Sequence, residues 1–287
     1  MAKILIVHGI ANQYVGEMEL LAAWYPALCD GLLRAEHREL PSLEECLCPF
    51  YGDLFRSDSH MSGDREPDLE DLEQASEDEV RLLEAIWKSA AQMDPEVPSP
   101  EEYAETMVWM PRIAERALNS LARSKYLADY TPLQLFGDLE QVTLYLNDAA
   151  IHEKALGRVT AHIGPETRVV IGHSLGSVIA YEAVCARPQQ VAALITVGSP
   201  LGIRNVVFDK LTPRPRAIGI GDWPGAVKQW TNIAADGDIV AAQKELAPLF
   251  GNDVHDVRID SGWDAHSSTR YLNTAQAGEA LFRGLAG

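Results

Sequence analysis

The chain has 287 residues, of which 47% are apolar and 23% charged, and its formal net charge at pH 7 is −18. This length and balance are typical of a globular protein with a sizeable core, and they exclude a disordered or fibrous chain. The negative charge makes nucleic acid and anionic membrane surfaces poor partners. No run approaches 18 uninterrupted apolar residues, so we expect no membrane span.

The N-terminal sequence and the cysteines predict a cytoplasmic location. "MAKILIVHGI" has only a short aliphatic run and no cleavage site of small residues, which is typical of a strand rather than a signal peptide. The spacing of Cys29, Cys46, Cys48 and Cys185 suits neither a disulfide framework nor a metal site. A reducing cytoplasm is therefore the expected compartment.

The first 53 residues predict two buried strands and a helix between them. "KILIVHGI" at 3–10 is short, aliphatic and closed by glycine, as in strands of parallel sheets. A helix is expected over about 17–35, kinked or restarted near Pro26. "ECLCPFYGD" at 45–53 predicts a second strand that ends in a turn.

Residues 54–132 differ from their surroundings and predict a helical insertion that caps the rest of the domain. Prolines punctuate helical pieces, and Ser76 with Glu79 forms a capping box ahead of an apolar pattern. The segment 64–84 contains ten acidic residues and two arginines, so we expect it to be the solvated outer face. Four side chains of the insertion either contact the substrate or only pack the cap onto the body, namely Tyr103, Met107, Trp109 and Met110.

Alternating strands and helices follow the insertion. Helices are expected over 138–150, 174–186 and 268–285, and strands over 167–172 and 255–260. The segments 193–201 and 228–241 are each expected to contain a strand followed by its loop. This alternation predicts an α/β fold with a mostly parallel central sheet and helices on both faces, in one domain spanning 1–287. In such sheets the reacting groups collect at the carboxyl ends of the strands.

The pentapeptide "GHSLG" at 172–176 lies between the strand "TRVVI" and the helix "SVIAYEAV". A serine hydroxyl is a poor nucleophile unless the chain presents it to a base and to a substrate together. A sharp strand-to-helix turn does this, and small flanking residues give the turn room. Gly172 and Gly176 fit that need, so Ser174 is the candidate nucleophile.

Acyl transfer also needs two backbone N–H groups directed at the developing oxyanion. One comes from the residue that follows the nucleophile, here Leu175. The motif "VHGI" at 7–10 fits the second, because Gly9 lets the backbone turn and Ile10 can direct its N–H into the site. His8 and His173 are expected to support these two turns by hydrogen bonding.

The set "VHGI…GHSLGSVIAYE…VGSPL…WTNIAADGDIVA…AHSSTRYL" resembles the α/β-hydrolase superfamily, particularly its lipase and esterase branches. The likeness covers nearly the whole chain outside 54–132. It implies an α/β-hydrolase fold with a catalytic serine, an acid and a histidine in that chain order. His266, in the loop before the last helix, matches the position of the family's histidine.

Two aspartates in "AADGDIVA" are candidates for the acid that the resemblance implies. Asp238 precedes Ile-Val, as in the lipase-like pattern, whereas Asp236 serves if the loop register differs. Either one could instead be a turn residue beside Gly237. His255 begins the final strand and is expected to serve the core or the surface. The remaining histidines are expected to be solvated, namely His37, His60, His152 and His162.

The predicted activity is hydrolysis of a carboxylic ester or thioester through an acyl-enzyme, with Ser174, Asp238 and His266 as the triad. A small acyl ester or thioester is then the expected partner, and no cofactor or metal is expected. A catalytically silent hydrolase-fold binding module is the main alternative. An acyltransferase or a peptidase that uses the same triad is a further one.

Overall fold

A computed structural model describes residues 2–56, 74–103, 110–127, 131–187, 191–262 and 264–287. The strands of this part form one six-stranded sheet in the order β2-β1-β3-β4-β5-β6, with every neighbouring pair parallel. Their bounds are β1 Ile4–Val7, β2 Cys46–Leu47, β3 Val169–His173, β4 Ala193–Val197, β5 Gln229–Ala235 and β6 Val254–Ile259. The α/β fold with a parallel sheet is therefore confirmed.

Four of the five connections between strands contain α-helices, which suits parallel pairing, and a long segment with a 3₁₀ turn joins β4 to β5. The described α-helices are α1 Glu17–Arg34, α2 Glu77–Met93, α3 Met110–Leu121, α4 Pro132–Asn147, α5 Ala149–Thr160, α6 Leu175–Ala186, α7 Ala247–Phe250, α8 Ser268–Leu272 and α9 Ala275–Ala286. Short 3₁₀ turns occupy Leu43–Glu45, Gly52–Phe55, Pro100–Tyr103, Lys125–Leu127 and Phe208–Lys210. No helix in the described ranges is both long and apolar enough to cross a bilayer.

The central strands β1, β3, β4 and β5 bury both of their faces, because side chains alternate between two apolar clusters. On β1, Ile4 and Ile6 lie in a cluster with α1, α8 and α9, whereas Leu5 and Val7 lie in one with α2, α4, α5 and α6. All four side chains are fully buried. Helices thus cover both faces of the sheet, as the continuous aliphatic runs of the strands predict.

Several predicted element boundaries were wrong, and the helix expected from 138 begins at Pro132. The second strand is only two residues long and is followed by the 3₁₀ turn at Gly52–Phe55. Asp148 ends α4 and caps α5, since its Oδ1 accepts hydrogen bonds from the N–H groups of Ala150 and Ile151. The last predicted helix is two helices, because Thr274 caps a new one with its hydroxyl.

The described parts of the insertion are helical and join the body's core. The capping box at the start of α2 is present, with Ser76 and Glu79 bonding each other's backbone N–H. Buried side chains of α2, such as Ile86 and Trp87, belong to the same cluster as Leu5 of β1. Of the four candidate substrate-reading side chains, Met107 and Trp109 lie outside the described residues, as do the side chains of Tyr103 and Met110 and the acidic residues 64–73.

Candidate active site

Ser174 occupies a strained turn between β3 and α6. Its φ of 53° and ψ of −130° lie outside the regions that residues other than glycine normally adopt. Such strain persists only where the surrounding structure enforces it. Here the serine follows the last residue of a buried strand and precedes the first residue of a buried helix, and its side chain lines a cavity at the carboxyl end of the sheet.

The glycines of this turn allow three backbone segments to meet. A Cβ on Gly172 would lie 2.5 Å from the carbonyl oxygen of Gly176, and a Cβ on Gly176 would lie 2.2 Å from that of His8. In the neighbouring loop, a Cβ on Gly9 would lie 2.8 Å from the Cβ of Ser174. Any side chain at these positions would push β1, β3 and α6 apart. The predicted requirement for small residues therefore has a direct steric cause.

His266 lies beside Ser174, although 92 residues separate them in the chain. Its Nε2 is 3.0 Å from the Ser174 Oγ. His173 holds the histidine loop in place by donating a hydrogen bond from its Nε2 to the carbonyl oxygen of His266 over 2.7 Å. Burial lowers the pKa of His173 to about 3, so this residue is a neutral donor. The expected supporting role of His173 is thus visible as a specific contact.

Asp238 is fully buried and completes the hydrogen-bonded chain. Its Oδ2 accepts a hydrogen bond from the Nδ1 of His266 over 2.8 Å. Its Oδ1 accepts from the backbone N–H groups of Val240 and Ala241, at 2.9 and 3.2 Å. Burial alone would raise the pKa of this carboxyl, but the neighbouring His266 holds the pKa well below its usual range. The carboxylate is therefore charged next to the imidazole.

Asp236, the other candidate acid, points away from this site. Its side chain is 61% exposed and forms an ion pair with Arg258 on β6. The Nε of Arg258 lies 2.7 Å from the Asp236 Oδ1. The sequence left the choice between these two aspartates open. Of the two, only Asp238 is buried and contacts His266.

Tyr271 is a site residue that sequence reasoning missed. Its hydroxyl donates to the Oδ2 of Asp238 over 2.7 Å and accepts from the N–H of Ala235 over 2.8 Å. The side chain is fully buried. The motif "AHSSTRYL" contains this tyrosine, but one turn of helix separates it from His266. A tyrosine five residues after the histidine was the only available signal.

The two predicted oxyanion donors, Ile10 and Leu175, flank the serine. Leu175 is the first residue of α6, so its N–H has no partner within that helix. Ile10 lines the same cavity as Ser174. The Nδ2 of Asn12 donates to the carbonyl oxygens of Gly9 and Ile10, which fixes this loop. Their role as oxyanion donors stays a prediction.

His8 supports the Gly9 turn as a neutral, buried side chain. Its Nδ1 donates to the carbonyl oxygen of Gly9 over 2.8 Å, and its Nε2 accepts from the N–H of Tyr51 over 3.3 Å. Burial lowers the pKa of His8 to about 4, which agrees with this single tautomer. The ring stacks on Tyr51 with 3.9 Å between centroids. Like His173, it holds a turn and lies outside the proton path.

A cavity of about 310 Å³ opens beside the Ser174 hydroxyl. His266 and Asp238 line it, together with Ile10, and so do Tyr126, Leu135 and Leu139. The last three side chains were not among the predicted site residues. In the described ranges, no group of three or more His, Cys, Asp or Glu side chains is placed to bind a metal ion.

Compared with the sequence models of known protein families and with curated proteins, the chain matches none of them. The geometry around Ser174 is therefore the basis for inferring a function.

Proposed function

We propose that this chain is a serine hydrolase of the α/β-hydrolase type that cleaves carboxylic esters or thioesters through an acyl-enzyme. One observation carries the proposal. Ser174 Oγ, His266 and Asp238 form a continuous hydrogen-bonded chain, with contacts of 3.0 and 2.8 Å, and the serine lines a cavity. This is the arrangement that activates a serine for attack on a carbonyl carbon.

Acylation begins when the Ser174 Oγ attacks the substrate carbonyl carbon while His266 Nε2 takes the hydroxyl proton. The carbonyl oxygen becomes an oxyanion, which the N–H groups of Ile10 and Leu175 stabilise. The tetrahedral intermediate then breaks its bond to the leaving oxygen or sulfur. His266 Nε2 returns the proton to that atom, and the acyl group stays on Ser174 as an ester.

Deacylation repeats these steps with water as the nucleophile. His266 Nε2 takes a proton from water, and the resulting oxygen attacks the acyl carbon. Collapse of the second tetrahedral intermediate releases the carboxylic acid, while His266 returns its proton to the Ser174 Oγ. In both halves Asp238 keeps the imidazole in the tautomer with hydrogen on Nδ1 and stabilises its cation.

The order of the elements also supports a hydrolase-type fold. The serine follows β3, Asp238 follows β5, and His266 follows β6, so all three lie at carboxyl ends of parallel strands. This is the chain order that the sequence resemblance implies. We further propose that residues 54–132 act as the cap of the site, because Tyr126 from this insertion lines the cavity.

The proposal is tested by covalent labelling with a fluorophosphonate probe and by hydrolysis of p-nitrophenyl butyrate. Wild-type protein is expected to incorporate one probe per chain, and Ser174→Ala to lose both labelling and turnover. Removing this one oxygen atom should change the packing little, so the thermal unfolding transition is expected to stay nearly unchanged.

Ser76→Ala is the matched serine control. Ser76 caps α2 at an exposed position, so its loss should cost about 1 kcal/mol of stability and leave labelling intact. Full labelling of Ser174→Ala, or no labelling of folded wild-type protein, would overturn the proposed function.

A further inference from the structure

Every oxygen atom of Asp238 accepts a hydrogen bond, and one of these bonds comes from a lysine. The two carboxylate oxygens accept from His266, Tyr271 and two backbone amides. The remaining oxygen, that of the backbone carbonyl, accepts from the Nζ of Lys244, which lies six residues further along the chain. The candidate acid thus has a bonded partner to which the reaction steps above assign no role.

The backbone around Lys244 is fixed by two polar side chains of the sheet. Asn232 of β5, which is 1% exposed, donates from its Nδ2 to the carbonyl oxygen of Lys244 over 3.0 Å. The same nitrogen donates to the Oδ1 of Asp256 on β6 over 2.8 Å. The carboxylate of Asp256 also accepts from the backbone N–H groups of residues 246–247, at 2.9 and 2.8 Å. Lys244 therefore reaches Asp238 from a segment that is anchored to both strands.

Lys244 also brings positive charge to a buried negative one. Asp238 is fully buried, and a carboxylate is tolerated there only when it is paired and hydrogen-bonded. His266 must be neutral before it takes the serine proton, so Lys244 is then the one group among the described partners of Asp238 with a full positive charge. Burial would raise the pKa of Asp238, and His266 and then Lys244 hold it below its usual range. Burial likewise lowers the pKa of the Lys244 ammonium, and Asp238 opposes that change, so each charge stabilises the other.

We propose that Lys244 is a positioning residue of the candidate site, whose ammonium group fixes the peptide of Asp238 and offsets the buried carboxylate, so that His266 is held in its catalytic orientation. The inference rests on the proposed serine hydrolase function and adds to it a residue that no motif of the sequence indicated. Lys244 is not among the residues that line the cavity, so it acts through Asp238 rather than on the substrate. Its loss should therefore lower kcat and leave KM nearly unchanged.

The inference is tested first with Lys244→Met, which keeps the length of the side chain and removes the ammonium. On p-nitrophenyl butyrate, kcat per Ser174 that a fluorophosphonate labels at completion is expected to fall about tenfold or more, because hydrogen bonds from charged donors are strong. KM is expected to stay within about twofold. Lys228→Met is the matched control, since the Nζ of Lys228 also donates to a backbone carbonyl, that of Gly287 over 3.1 Å, but at the other end of β5. Its kcat should be unchanged.

Restoring the positive charge separates a positioning role from simple packing. Lys244→Arg keeps the charge and the donor groups, and its kcat is expected to be within about threefold of wild type. Lys244→Cys should lose kcat as Lys244→Met does. Alkylation of this cysteine with 2-bromoethylamine, in which the thiolate displaces bromide, rebuilds an ammonium at the length of lysine and is expected to raise kcat about fivefold or more. Wild-type protein treated in the same way is the control, because the chain has four other cysteines.

The outcomes separate this inference from the function on which it rests. Absence of any Ser174-dependent ester turnover in wild-type protein contradicts the proposed function itself. A kcat of Lys244→Met within about twofold of wild type, or a loss that appears in KM instead, overturns the inference and leaves the serine hydrolase proposal standing. A loss that neither Lys244→Arg nor alkylated Lys244→Cys recovers also overturns it, because the side chain would then only fill space. Lys244→Cys before and after alkylation decides the matter even if Lys244→Met does not fold.

Discussion

In the part of the chain that the structure describes, two buried carboxylates each bind a histidine, Asp238 at the candidate site and Glu182 on α6. His266 donates from Nδ1 to Asp238, and His152 donates from Nε2 to Glu182, both over 2.8 Å. Neither carboxylate has any exposed side-chain surface. Sequence reasoning expected His152 to be solvated, which was wrong, since its side chain is only 23% exposed and paired.

The likeness extends to a tyrosine and to backbone donors. Tyr271 donates its hydroxyl to Asp238 over 2.7 Å, and Tyr145 donates to Glu182 over 2.5 Å. Glu182 also accepts from the N–H of Thr212 over 2.8 Å, much as Asp238 accepts from two backbone amides. Each buried charge is thus satisfied by several donors, which is the condition for tolerating it in a core.

Two units can thus be compared, Asp238 with its histidine and tyrosine and Glu182 with its own. They differ in what contacts the other side of the histidine ring. The second nitrogen of His266 lies 3.0 Å from a serine held in a strained turn beside a cavity. The ring of His152 instead packs on Tyr145, with 4.8 Å between centroids, at the surface end of α5. A buried carboxylate with a histidine and a tyrosine is therefore a way of fixing an imidazole. The Asp238 unit also has a serine and a cavity next to its histidine, and these make it the candidate catalytic site.

Removing the charge of Asp238 is expected to have the largest effect. Asp238→Asn leaves the shape intact but favours the wrong imidazole tautomer, so kcat on p-nitrophenyl butyrate should fall about 10⁴-fold. Asp236→Asn is the matched change at the exposed aspartate two residues away, and its kcat should stay within about twofold. Equal losses in the two variants would contradict the assignment of Asp238.

Removing a tyrosine hydroxyl from each unit sharpens the comparison. Tyr271→Phe takes one donor from Asp238, and a hydrogen bond to a charged group contributes about 1.5–3 kcal/mol. We expect a loss of kcat of about tenfold or more on p-nitrophenyl butyrate, because Asp238 then holds and stabilises the His266 imidazole less well.

Tyr145→Phe makes the same chemical change at Glu182. It should lower the free energy of unfolding by a similar amount, measured by urea denaturation, while kcat per labelled Ser174 stays unchanged. A loss of kcat in this variant that matches the Tyr271 variant would mean that the two units are functionally coupled.

The smallest expected effect is a pH dependence of stability from His152. Its hydrogen bond to Glu182 raises the pKa of His152 above 6.5. A group whose pKa is raised on folding contributes stability that is complete below its unfolded pKa, here about 6.5, and is lost as the pH rises through its folded pKa.

His152→Gln should therefore lose about 1 kcal/mol relative to wild type at pH 5.5 and progressively less toward pH 9. Urea denaturation at a series of pH values measures this difference. His162→Gln, at an exposed histidine just beyond α5, is the control and should show a pH-independent difference. If the stability difference between His152→Gln and wild type is also independent of pH, the proposed contribution of the His152–Glu182 pair to stability is contradicted.

Local patterns in the sequence were sufficient to predict most of the fold. Local patterns predicted the positions of all six described strands, and the capping box at Ser76 marked the start of α2. The strand, glycine and helix around Ser174 predicted its turn, because the steric need for Gly172 and Gly176 arises within a few residues. Boundaries such as Asp148 were missed because one side chain both ends α4 and starts α5.

Only the tertiary structure decided which distant side chains meet. The choice between Asp238 and Asp236 depends on which one faces inward from the end of β5, and a turn around Gly237 permits either. Tyr271 reaches Asp238 only because α8 packs beneath the loop, and Tyr126 reaches the cavity only because it rests on Gly237. Local sequence thus determined the strands, the turn and the position of Ser174 in it. Asp238, Tyr271 and Tyr126 are separated from Ser174 by tens of residues, so packing alone could bring them together.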